Sequence, residues 1–215
     1  MAILDMPVRK AGFELLLKEN KRFADSYRSS CLMSLIQSKQ MENKENRERL
    51  LDAIQIFSDY FQKTIMLRSA LCDDRKFLSV VQAHLNEEFG HNFKLMKDRK
   101  YRAPVWHPVL EATAAWFSWK MLTLDNDEKT VLIHLVLEAS ANIFFSAAHN
   151  VMRDYGETDY FEVHADADAR HEQMGSELLD GLCAEKYVNL MTIQQQGWAM
   201  LNAACDQIAH LSTHS

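Results

Sequence analysis

Residues 129–156 read KTVLIHLVLEASANIFFSAAHNVMRDYG. The stretch is apolar nearly all round and holds no Gly or Pro before Gly156. Such a run reads as one long helix buried at the centre of a fold. Asp125 and Glu128 stand three apart just before it, as in a capping box, and Gly156 is a natural terminator. Within it lies Glu138, and His134 is one turn earlier. A carboxylate in that setting must be paired, protonated or bound to metal. A plain ion pair with a histidine that fixes helix packing meets the same need.

Outward from this helix the periodicity stays helical. Residues 11–36 predict a first amphipathic helix, with Phe13, Leu16, Leu17 and Phe23 on one side. The polar QSKQMENKENRER, 37–49, reads as a solvated link into a second helix over 47–71. A third is expected over 75–101 and a fourth over 110–124, with Pro108 suited to a first turn. A sixth begins near Asp159 and Glu162, which repeat the capping spacing, and a seventh covers 190–211. With 6 Gly and 3 Pro in 215 residues, breakers are few. The expected architecture is all-α, a bundle of about seven helices forming one domain over 1–215.

Composition narrows function. The net charge of −6 and the lack of a basic block argue against nucleic-acid partners. No run reaches the ~18–20 apolar residues of a membrane span. The N-terminal MAILDMPVRKAGFE is a poor signal peptide because Asp5 interrupts a short apolar run. A cytoplasmic protein without a membrane partner is expected. Cys31, Cys72, Cys183 and Cys205 form no CxxC and read as buried reduced thiols. No phosphate loop, GxSxG or HExxH is present. Trp116, Phe117 and Trp119, with Phe144 and Phe145, read as core aromatics, some of which line a pocket.

The chemistry-bearing residues recur at helical spacing. His84, Glu88 and His91 fall at i, i+4 and i+7, as do His164, Asp168 and His171. Five of the nine histidines lie in these two stripes or at His134. Imidazole and carboxylate suit first-row transition metals, and a bundle can aim several helices at one place. Each stripe alone reads equally as a solvated face. Together with Glu138 they point to a metal site. Glu87 is an alternative to Glu88 in another register. His84 and His134 read as supporting groups or alternative ligands, and Asp166 and Glu172 as solvated.

The H-x3-D-x2-H of His164, Asp168 and His171 resembles the late motif of the heme-oxygenase-like di-iron oxidases and oxygenases. Glu88 and His91 are similar to one variant of that family's early motif, and Glu138 to its intervening carboxylate. The resemblance covers roughly residues 45–210. It implies two iron ions, O2 as co-substrate, and ligands Glu88, His91, Glu138, His164, Asp168 and His171. It also implies oxidation of a small organic molecule of the fatty acid, amino acid or amine type, and a possible homodimer. The family's heme-binding relatives use a histidine in the first helix. This chain has none before His84, so no heme is expected. Two other classes share such a bundle: a metal-free binding protein or hydrolase, and a ferritin-like iron-handling protein. His164, an imidazole beyond the two-ExxH pattern, argues against the latter.

Overall fold

The computed structural model describes residues 5–154, 156 and 159–214, with the backbone alone for 5–10 and 165–169. Among the described residues there is no strand. The helices are α1 (Asp5–Tyr27), α2 (Cys31–Ile36), α3 (Lys44–Ala70), α4 (Arg75–Glu88), α5 (His91–Asp98) and α6 (Pro108–Thr123). They are followed by α7 (Asn126–Arg153), α8 (Asp159–His171) and α9 (Ala184–Thr213). Short 3-10 turns cover Lys39–Glu42 and Ser176–Leu179.

Two expected helices are each split. The run 11–36 breaks after Tyr27, where Ser30 Oγ accepts the Met33 N–H (3.3 Å) and caps α2. The run 75–101 breaks at Gly90, whose φ of 90° is open to glycine and strained for other residues. Capping follows the sequence at two other starts, but at α8 it is Asp98 that accepts the Tyr160 N–H (3.0 Å), where the Asp159–Glu162 spacing was expected to cap. Asp125 and Glu128 form the reciprocal box at the start of α7, and Pro108 opens α6 behind His107. The Asp159 carboxylate pairs with Lys97 of α5 (2.6 Å).

α7 is the buried axis. By length and composition it is apolar enough to cross a membrane, but 78% of its most apolar window is buried inside the fold. Its apolarity is that of a core helix. Val131–Glu138 forms a π-helical stretch, all eight residues buried. Such i→i+5 turns are rare and concentrate at functional sites. No breaker in the sequence marks this one.

α9 crosses α7 at Gly197, where a Cβ would stand 2.7 Å from Leu132 Cδ2 and 3.2 Å from Val136. The missing side chain allows the close approach. α1 is tied to α9 by Asn20 Oδ1, which accepts from Trp198 Nε1 (2.9 Å) and Gln194 Nε2 (3.1 Å). α3 is tied to the end of α5 by buried Arg99, which reaches Asp52 (2.8 Å) and Gln55 Oε1 (2.9 Å).

Two expectations are corrected. Only Cys205 is a buried thiol; Cys31 and Cys183 are exposed and Cys72 is half-buried. They sit at helix starts or ends, where an apolar neighbourhood in sequence does not become one in space. All four are free thiols. Of the aromatics, Phe117, Phe144 and Phe145 are buried, but Trp119 faces solvent.

Candidate metal centre

Four helices converge on a cluster of imidazoles and carboxylates. His84 and Glu88 come from α4, His91 opens α5, Glu138 ends the π stretch of α7, and His164 and His171 lie on α8. Their donor atoms fall into two groups, His84–Glu88–Glu138–His171 and Glu88–His91–His164, each with all its atoms within 4.8 Å of one another. Glu88 belongs to both. Every member is buried except His91, which is half-buried.

The contacts are specific. His84 Nε2 lies 2.8 Å from Glu138 Oε1, and His171 Nδ1 lies 3.0 Å from Glu88 Oε1 and 3.5 Å from Glu138 Oε2. On the other side, Glu88 Oε2 is 2.9 Å from His91 Nδ1 and 3.8 Å from His164 Nε2. The second nitrogen of two of these rings is used outside the cluster. His164 Nδ1 donates to the Tyr160 carbonyl (2.7 Å), and His171 Nε2 to Glu87 Oε2 (2.7 Å). Each ring therefore turns its remaining nitrogen inward, as metal-ligating histidines do.

Electrostatics follow from this enclosure. Burial alone would raise the Glu88 carboxyl, yet the His171, His91 and His164 imidazoles hold it below its ordinary range. Burial likewise opposes ionisation of Glu138, which His84 and His171 offset, leaving it lowered. Burial would lower the His171 imidazole, but Glu138, Glu88 and Glu87 push it up to about 11. His164 is lowered by burial, against the pull of Glu88.

The site accepts a metal ion on its donor chemistry. Glu88 Oε1 and His171 Nδ1 are buried and lack a hydrogen-bond partner of proper geometry, although they face each other. With the His171 Nε2 proton committed to Glu87, the facing atoms are two acceptors. A proton or a cation must lie between them. Without metal a proton does so, which is why His171 is held so high.

Compared with the sequence reading, Glu88, His91, Glu138, His164 and His171 come together. Asp168 lies outside the described side chains, as does Asp166. His84, expected as a supporting group or an alternative ligand, is in direct contact with Glu138. Glu87 is not a substitute for Glu88: it points to the outer face of His171 and also meets Arg170 (3.4 Å). His134 has no nitrogen to spare. Its Nε2 accepts from buried Arg68 (2.7 Å) and its Nδ1 donates to the His171 carbonyl (2.7 Å). Burial and then Arg68 hold it well below its ordinary pKa, so it is neutral. Glu172, expected in solvent, is half-buried and accepts from Asn142 (2.9 Å). Arg68 itself was missed. Its signal was a lone cation in the apolar TIMLRSAL of α3.

A cavity of about 110 Å3 opens beside the cluster. Glu88, His91, Glu138 and His164 form one part of its wall, and Leu137, Phe144, Phe145, Leu201 and Ile208 much of the rest. The Phe145 ring stacks on His164 at 4.2 Å.

The fold and site define an all-helical protein with a buried His/Glu cluster suited to iron. The chain belongs to the iron-containing redox enzyme family, whose model matches residues 82–204, the span holding every cluster member. An uncharacterized protein of Rickettsia prowazekii (strain Madrid E) is 30% identical over 200 residues, which is 93% of this chain and 96% of that one. A crystal structure of a domain of unknown function from Shewanella denitrificans OS217 has a heme oxygenase-like fold. It superposes with a TM-score of 0.66 over 89% of each chain at 16% identity, which speaks for the fold alone.

Proposed function

We propose that the protein is a non-heme di-iron oxidase or oxygenase that uses O2 to oxidise a small organic molecule. The observation that carries this reading is the pair of ligand groups sharing Glu88. One ion would be held by His84, Glu88, Glu138 and His171, the other by Glu88, His91 and His164, with Asp168 as a further ligand. Bound iron would supply electron transfer and O2 activation.

The chain's own residues do the rest. Glu88 and Glu138 place negative charge where cations would sit, and the surrounding apolar wall excludes the water that would screen it. Glu87 and the Tyr160 carbonyl fix the rings of His171 and His164, so the inward nitrogens need no reorganisation on binding. Arg68 and His134 hold the His171 backbone from behind. The cavity is lined mainly by apolar side chains, and its walls favour an apolar body.

The test is anaerobic loading with Fe(II), followed by elemental analysis and admission of O2. About two irons per chain and consumption of O2 are expected. Folded protein that retains no iron overturns the proposal.

A further inference from the structure

The cavity has a second polar feature, beside the turn between Glu88 and His91. Gln62 of α3 lines it, 9% exposed, and so does Asn92 of α5. Both have a side-chain atom that is buried and without a partner: Gln62 Nε2, a donor, and Asn92 Oδ1, an acceptor.

Neighbours fix which atom of each amide is left over. Gln62 Oε1 accepts the Gly90 N–H (2.6 Å), so its amide nitrogen must face away from that turn. Asn92 is oriented by a carboxylate that also takes a hydrogen bond from Gln55. Arg99 Nη1 donates to Gln55 Oε1 (2.9 Å), and Gln55 Nε2 donates to Asp59 Oδ1 (2.8 Å). Asp59 Oδ1 also accepts from Asn92 Nδ2 (3.0 Å), which leaves Asn92 Oδ1 as the free acceptor. A carboxylate oxygen accepts, so it is the Asn92 nitrogen that faces Asp59. A buried unmade hydrogen bond is costly, and native folds keep few of them. Here one donor and one acceptor are kept on two residues that line the same cavity.

We propose that Gln62 and Asn92 form the recognition end of the substrate chamber and take a neutral carboxamide carried on an apolar body. The Gln62 N–H donates to the amide oxygen, and Asn92 Oδ1 accepts the amide N–H. This rests on the cavity being the chamber of the proposed oxidase. A carboxylate has no proton to give Asn92 Oδ1, and it meets the Asp59 carboxylate behind Asn92. An ester satisfies Gln62 alone. Gln62 and Asn92 are specificity-determining residues; neither belongs to the iron-ligand groups.

The experiment measures binding without turnover, by calorimetry on metal-free and on anaerobic iron-loaded protein, with octanamide, methyl octanoate and octylamine. Octanamide is expected to bind about tenfold or more tightly than methyl octanoate. Gln62→Glu keeps the acceptor for Gly90 but exchanges the free donor for an acceptor. It should weaken octanamide about tenfold and strengthen octylamine. Gln62→Met, of similar size, should weaken octanamide and leave octylamine unchanged, which serves if the Glu variant fails to fold. Equal binding of octanamide and methyl octanoate by the wild type overturns the proposal. So does unchanged octanamide binding in a folded Gln62 variant. If the protein retains no iron but the metal-free form keeps the ranking, the di-iron reading fails and this one stands.

Discussion

The two ligand groups make different demands on their members, and Glu88 is where the difference is measurable. Glu88 serves both groups, whereas Glu138 serves one. Glu88→Gln should therefore abolish binding of both ions, and Glu138→Gln of one. A ligand that binds only the folded state stabilises it by about 2.7 kcal/mol at a hundredfold excess over Kd. For a chain of 215 residues, each kcal/mol moves Tm by roughly 2–4 °C. One ion is then worth about 5–11 °C and two about twice that. Tm would be followed by circular dichroism under anaerobic conditions, each variant with and without Fe(II), beside elemental analysis of the same samples. The metal-free Tm of each variant is its own baseline, so loss of the buried His–Glu contacts does not enter the comparison. The expected iron-induced shift is full in the wild type, halved in Glu138→Gln and absent in Glu88→Gln. Equal shifts in the two variants would refute the sharing of Glu88.

Glu87→Gln should leave the fold intact and cost about 10–100-fold in iron affinity, because its contact with the cluster is with the outer nitrogen of His171; an unchanged iron titration would contradict that role. pH should act in opposite directions on stability and on metal binding. His171 is raised to about 11 in the folded metal-free protein, so its contribution is complete below its ordinary pKa of about 6.5 and is lost as pH rises toward 11. The lowered Glu88 and Glu138 give stability that is present above about 4.5 and lost as pH falls below it. The urea midpoint of metal-free protein should thus decline from pH 7 to 10. Iron affinity should rise over the same range, because the proton on His171 must leave; a rising midpoint would refute the assignment. Gly197→Val should destabilise by about 1–3 kcal/mol, as branched carbons are forced against Leu132 and Val136. Urea denaturation reads this directly, and an unchanged midpoint would mean that α7 and α9 separate without cost.

Most of the helical layout was legible because long amphipathic runs and caps act locally. Asp125 and Glu128 box the start of α7 as their spacing says, and Pro108 opens α6. Glu138 was legible for a different reason: a carboxylate among VLIHLVL has nowhere to go but the interior. The break at Gly90 was not, since a lone glycine is tolerated in many helices and only the Gln62 contact from α3 shows what holds this one open. The π stretch was equally silent. Which of its two expected roles His84 takes was not legible, because that depends on which helix it faces. Facing α7, its Nε2 meets Glu138, and no periodicity along α4 carries that information. Gln62, Arg68 and Asn92 are single polar residues on apolar helix faces, and their partners lie at least 28 residues away in sequence.

The Gly90 break explains why one carboxylate can serve two groups. In an unbroken helix Glu88 and His91 would sit about 60° apart on one face and aim along a single line. Ending α4 at Glu88 and starting α5 at His91 frees the second side chain from the first. Glu88 then turns one oxygen toward His171 and the other toward His91 and His164. The same turn exposes the Gly90 N–H to Gln62, which orients that amide toward the cavity. One helix break thus sets both how the cluster is divided and which atom of Gln62 is held by the turn. A residue at position 90 that cannot adopt positive φ would disturb the two together.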